Sequence, residues 1–102
     1  MAATDDRNQD RAQGSWTFLT NHAHVLICVA GDGDARISDI AGQVGIGERA
    51  TQSILNDLVE AGYLRRTRVG RRNRYEVDAD RHLRHPLEAH HQIGELLSAV
   101  GP

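Results

Sequence analysis

The chain has 102 residues, enough for one domain with one modest hydrophobic core. Cys28 is its only cysteine, which excludes an intrachain disulfide and a cysteine-based zinc site. The chain does not begin with a signal-like apolar stretch, and no apolar run reaches the roughly 18–20 residues that cross a bilayer. We therefore expect a soluble, cytoplasmic protein.

The positive charge is concentrated in one short segment. Residues 62–77 contain six arginines and one glutamate, a local charge of +5. The other 86 residues contain six arginines and thirteen acidic residues, a charge of −7, so the chain as a whole carries −2. A cationic patch on an anionic body indicates a surface that binds a polyanion.

The first part of the chain predicts one helix behind a polar arm. Residues 1–14 are polar and charged, which favours a disordered arm. Residues 16–19 are apolar, and we expect them to pack on the core. Thr20 is suited to cap a helix over about residues 21–30, with an apolar face.

The middle of the chain predicts two more helices joined by a tight turn. Residues 36–37 can form a short strand, and the second helix covers about residues 38–45. A glycine-containing turn at residues 45–47 leads into a third helix over residues 48–61. Gly62 stands where a left-handed C-terminal cap is needed, so this helix should end there.

After Gly62 the pattern changes from helical to strand-like. Residues 63–69 and 74–77 flank a loop of about four residues, which indicates a β-hairpin. Alternation along the first strand sends Arg66 and Arg68 to one face and Arg65 to the other.

The end of the chain predicts one further helix. Pro86 is favourable at a helix start, and the helix should run to about Val100. Its apolar stripe would consist of Leu87, Ile93, Leu96, Leu97 and Val100.

This order of elements resembles the winged helix-turn-helix of MarR-like and ArsR-like bacterial transcriptional regulators. The resemblance covers about residues 20–77 and depends on Ala41, Gly45, the pair Ile54 and Leu58, and the sequence Leu-Val-Glu-Ala-Gly-Tyr-Leu over residues 58–64. It implies an α+β fold, mostly α. We therefore expect a winged helix-turn-helix DNA-binding domain over residues 15–80 behind the disordered arm over 1–14. The apolar stripe of the last helix and the small core predict that residues 81–102 form a C-terminal dimerisation helix.

The third helix is then the predicted recognition helix. The major groove of DNA admits one α-helix, which must expose polar side chains near its N-terminus. Arg49 can bind guanine, Gln52 or Asn56 can pair with adenine, and two hydroxyl side chains can contact phosphates. The predicted contacts are Arg49, Thr51, Gln52, Ser53 and Asn56.

The hairpin over residues 65–75 is the predicted wing. Its long cationic side chains can reach adjacent phosphates or the minor groove. The predicted contacts are Arg66, Arg68, Arg71, Arg72, Asn73 and Arg74.

The sequence thus predicts a sequence-specific regulator of transcription that binds double-stranded DNA as a homodimer, associated with the nucleoid. We expect no catalytic residues, no cofactor, no metal and no dedicated ligand pocket. One alternative is a winged-helix module that binds an acidic protein partner.

A second alternative is a metal-responsive repressor, because His82, His85, His90 and His91 cluster near the end of the chain. Asp80 and His82 match half of the metal-binding pattern of ArsR-like sensors, but Ile93 stands where the other half needs a histidine.

Overall fold

The computed structural model describes residues 16–102, so the arm predicted over residues 1–14 lies outside the described residues. The described part is a small α+β domain with four helices and one two-stranded antiparallel hairpin. The helices are α1 (Asn21–Gly31), α2 (Ile37–Val44), α3 (Glu48–Glu60) and α4 (Ile93–Val100), and the strands are β1 (Leu64–Val69) and β2 (Arg72–Val77). Within residues 16–102, no helix combines the length and apolar character needed to cross a membrane.

One hydrophobic core lies between the first three helices, the base of the hairpin and the start of α4. Each fully buried aliphatic side chain contributes about 1.5–3 kcal/mol through removal from water. Apolar residues at helical spacing on α1 and α3 form its centre, as the sequence predicts. The core residues are Val25, Leu26, Val29, Ile40, Ile54, Leu55, Leu58, Tyr63, Leu64, Tyr75 and Ile93.

Gly62 ends α3 as predicted. It has φ +87°, a left-handed conformation that glycine adopts at little cost. The Gly62 amide donates to the Val59 carbonyl at 3.1 Å, and the Tyr63 amide donates to the Leu58 carbonyl at 2.9 Å. These two bonds are the Schellman arrangement, which satisfies the last carbonyls of the helix. The chain therefore turns sharply and enters β1 only three residues beyond α3.

The hairpin loop is shorter than the sequence predicts. Strand pairing continues to Val69 and Arg72, so the loop contains two residues, Gly70 and Arg71, instead of about four. Gly70 has φ +64° at the first central position, where a type II′ turn requires glycine. The two-residue turn lets the strands remain paired up to the tip.

The side-chain alternation along β1 is confirmed. Arg66 lies opposite Tyr75, on the same face as the buried Leu64, whereas Arg65 lies opposite Glu76 on the other face.

The short strand expected at residues 36–37 is wrong, because Ile37 is already the first residue of α2. A backbone hydrogen bond joins the segment just before it to the hairpin. The Tyr75 amide donates to the Gly33 carbonyl at 2.9 Å. The two backbone segments approach so closely there that a Cβ atom on Gly33 would overlap the Tyr75 carbonyl oxygen.

The last helix starts at Ile93 and not at Pro86, so the expected start is wrong. Residues 82–92 instead form a closed loop with turns. The Leu83 amide donates to the His91 carbonyl at 3.0 Å, and the Ile93 amide donates to the Arg81 carbonyl at 2.7 Å. These bonds and the burial of Ile93 outweigh the local preference of Pro86 for a helix start.

A capping box fixes the start of α4. The Glu95 side chain accepts a hydrogen bond from the Gln92 amide at 2.9 Å, and the Gln92 side chain caps the first turn in return. The bond from the Gln92 amide, assisted by His91, lowers the pKa of Glu95. Leu96 and Leu97 of this helix pack against the core, whereas Leu87 is 81% exposed and takes no part in the stripe.

We predict opposite effects of two glycine-to-alanine substitutions. Gly33→Ala should lower the free energy of unfolding by about 2 kcal/mol or more, because its methyl group overlaps the Tyr75 backbone. Gly42→Ala, on an open face of α2, should raise it by about 0.5–1 kcal/mol through helix propensity. Urea unfolding of both variants measures the difference, and an equal effect would contradict the close approach at Gly33.

Candidate nucleic-acid interface

Helix α3 carries four polar residues in one row on its outer side. Arg49, Gln52, Ser53 and Asn56 stand at helical positions i, i+3, i+4 and i+7, which face the same direction. Three of them are exposed and Gln52 is half-buried. We call these four residues the polar stripe. They are four of the five contacts that the sequence predicts on this helix.

Thr51, the fifth predicted contact, is fully buried, so its expected exposure is wrong. Its hydroxyl donates to the Gly47 carbonyl at 2.9 Å. Position 51 precedes Ile54 by three residues and Leu55 by four, which places it on the buried face of the helix. Thr51 therefore stabilises the start of α3 and presents nothing to a partner.

Two of the six hairpin arginines form ion pairs. Arg65 lies 2.9 Å from Glu76, and Arg74 lies 2.9 Å from Asp34. The hydrogen bond with Asp34 raises the pKa of Arg74. All four side chains are more than half exposed, so solvent screens both pairs and each adds little stability.

The other four hairpin arginines have no carboxylate partner among residues 16–102. Arg68 donates to the Gly70 carbonyl at 3.0 Å, and Arg72 donates to the Asp34 carbonyl. Arg71 is exposed at the loop, and Asn73 is half-buried opposite Arg68. Three of the six arginines of this segment therefore lie at or near the hairpin tip without a carboxylate partner in the described part of the chain.

Arg66 connects the hairpin to the polar stripe. Its Nη1 donates to the Oδ1 atom of Asn56 at 2.8 Å, and Gln52 Nε2 donates to the same oxygen at 3.1 Å. The helix and the hairpin therefore present one continuous polar and cationic surface. The sequence analysis predicts both parts but not the bond between them, because the two residues are ten positions apart in different elements.

Asp34 is a site residue that the sequence analysis missed. It accepts from Arg72 through its carbonyl and from Arg74 through its carboxylate, although these residues lie 38 and 40 positions away. The bond between Gly33 and Tyr75 brings Asp34 alongside β2. No local pattern in the sequence signals this contact.

The histidines do not form a metal site in the described part of the chain. Residues 16–102 hold no group of three or more His, Cys, Asp or Glu side chains that could bind a metal ion. His82 contacts the Ala89 carbonyl at 2.8 Å, and His91 contacts Glu95 at 2.7 Å. Burial raises the pKa of the Cys28 thiol.

An apolar groove of about 570 Å³ lies on another part of the molecule, although the sequence analysis expects no pocket. We call it the terminal groove, because the residues before α1 and the loop before α4 line much of it. Phe18 and Leu87 line it and are 91% and 81% exposed. Trp16 is 73% exposed, and its ring meets the Phe18 ring edge-on, with the two ring centroids 4.9 Å apart. The expectation that residues 16–19 pack on the core is therefore wrong for both rings.

No protein-family model matches the chain, and a search of curated proteins gives no match to its sequence.

The burial of Thr51 predicts a contrast between two neighbouring substitutions. Thr51→Lys should lower the free energy of unfolding by at least about 2 kcal/mol, because it places a long charged side chain in a filled site. Ser53→Lys, two residues along the same helix but exposed, should change it by less than about 0.5 kcal/mol. Chemical unfolding of the two variants tests this; similar values would mean that Thr51 is accessible.

Proposed function

We propose that the protein is a sequence-specific regulator of transcription that binds double-stranded DNA through a winged helix-turn-helix. Helices α2 and α3 are the helix-turn-helix, α3 is the recognition helix, and the hairpin is the wing. One observation supports this proposal above all. The polar stripe and the arginine-bearing hairpin form a single surface, joined by the bond between Arg66 and Asn56 at 2.8 Å.

The dimensions and placement of α3 suit the major groove. Its 13 residues make it about 20 Å long, and the groove, about 12 Å wide, admits one helix. The polar stripe begins at Arg49, the second residue of α3, and recognition helices contact base edges with their N-terminal residues. Buried residues on the opposite face attach α3 to the core, so the stripe is held on a rigid element.

The charge distribution suits a DNA backbone beside that groove. Arg68, Arg71 and Arg72 lie at or near the hairpin tip without carboxylate partners in the described part of the chain. Guanidinium groups bind phosphates with two parallel hydrogen bonds. In this proposal the hairpin supplies affinity and register, and the polar stripe supplies the choice of sequence.

We also propose that the protein acts as a homodimer at the nucleoid. The terminal groove offers a concave apolar surface, Phe18 forms part of its wall, and the exposed Trp16 ring packs against Phe18. A groove and a projecting apolar pair on one face can be self-complementary across a two-fold axis. The DNA site would then be palindromic, with half-sites about one helical turn apart.

The DNA-binding proposal predicts different effects of two arginine substitutions. Arg49→Ala should weaken binding to preferred genomic fragments by about 1–3 kcal/mol, because it removes a base contact. Arg71→Ala, exposed at the hairpin loop, should instead weaken binding to all duplexes alike, because it removes a phosphate contact and not a base contact. Electrophoretic mobility shift at moderate salt measures both. If the wild type shifts no duplex but binds an acidic protein, the alternative of a protein-interaction module replaces this proposal.

The dimer proposal predicts that apolar-to-acidic changes at the groove dissociate the subunits. Phe18→Asp and Leu87→Glu should sediment as monomers at micromolar concentration, because each places a charge in the apolar contact. Val69→Glu, at the hairpin end and 44% exposed, should remain dimeric like the wild type. A monomeric wild type at this concentration would contradict the proposal.

A further inference from the structure

The Asn56 side chain accepts two hydrogen bonds at one atom. Arg66 Nη1 and Gln52 Nε2 both approach the same oxygen, at 2.8 Å and 3.1 Å. A guanidinium group has only donors, so the atom that faces Arg66 has to be the amide oxygen and not the amide nitrogen. The contact with Arg66 therefore decides which way the Asn56 amide points.

This orientation leaves Asn56 with donors only. A carbonyl oxygen has two lone pairs, and the bonds from Arg66 and Gln52 occupy both. The Nδ2 group has two N–H donors and no partner among residues 16–102, and the side chain is exposed. Asn56 thus presents an amide nitrogen to whatever enters the space in front of α3.

A donor-only asparagine cannot read adenine in the usual way. The bidentate contact needs the amide oxygen to accept from adenine N6 while the amide nitrogen donates to N7. With its oxygen occupied, Asn56 would place donors against the N6 donor of adenine. Guanine instead offers two neighbouring acceptors, O6 and N7, to the two N–H groups of Asn56.

Building on the proposed DNA binding, we infer that Arg66 is a positioning residue that makes Asn56 select guanine over adenine. This replaces the expectation from the sequence that Asn56 pairs with adenine. Arg66 keeps further N–H groups for a phosphate while Nη1 binds Asn56, so the orientation is compatible with a DNA backbone beside the hairpin.

Arg68 provides a matched control for Arg66. It lies two residues further along β1 on the same face, is also exposed, and carries the same charge. Its Nε donates to the Gly70 carbonyl of its own hairpin. Substitution of either arginine by alanine removes one positive charge beside the DNA, but only the change at Arg66 frees a lone pair of the Asn56 oxygen, while Gln52 still occupies the other.

Selection of bound duplexes from a randomised library tests the inference. The wild type should enrich guanine over adenine by about tenfold at one position of each half-site, and Asn56→Ala should abolish that preference and so identify the position. Arg66→Ala should move the preference at this position to adenine, because the freed oxygen can accept from N6. Arg66→Lys, which retains a donor for Oδ1, should keep guanine, and Arg68→Ala should keep guanine while it lowers affinity for all sequences.

Three results would overturn the inference. If the wild type enriches adenine at the Asn56-dependent position, the positioning role alone is refuted. The same holds if Arg66→Ala still enriches guanine at that position. A wild type that enriches no sequence at all would refute DNA recognition and this inference together. A uniform loss of affinity in Arg66→Ala, equal to that in Arg68→Ala and without a shift in base preference, would reduce Arg66 to a phosphate contact.

Discussion

The abrupt end of α3 at Gly62 is the constraint on which the arrangement of the surface depends. The left-handed turn there and the bond from Tyr63 to Leu58 bring Tyr63 and Leu64 directly into the core. The first strand therefore runs back beside the helix that precedes it. A longer or looser connection would free the hairpin from α3, and Arg66 could then not reach Asn56.

Acidic side chains neutralise part of the positive charge of the hairpin by direct ion pairing, in addition to lowering the net charge of the protein. Asp34 pairs with Arg74 from outside the hairpin, and Glu76 pairs with Arg65 from the neighbouring strand. The charge that remains lies towards the tip and towards α3. The proposed division of roles follows from this distribution, because phosphates attract unpaired guanidinium groups more strongly than paired ones.

Hydrogen bonds between residues of this surface decide which donors and acceptors each residue still offers to a partner. An exposed asparagine on a proposed recognition helix offers both an acceptor and a donor. Once Arg66 and Gln52 occupy the acceptor, only the donor remains. The hydrogen-bonding groups that Asn56 can offer are therefore set in part by a strand residue ten positions away. In the proposed complex with DNA, the hairpin would then contribute to the choice of base as well as to affinity.

The sequence by itself determined the order of the helices and the hairpin, the end of α3 at Gly62 and the two faces of β1. Helical and strand periods fix which near neighbours share a side, and a glycine allows the left-handed turn that ends a helix. The same helical period, applied from Ile54 and Leu55, would also have placed Thr51 on the buried face. Only the tertiary structure decided the start of α4 at Ile93, the position of Asp34 and the bond from Arg66 to Asn56. Each of these depends on contacts between segments that are distant in the chain or lie in different elements, and such contacts form only when the core brings those segments together.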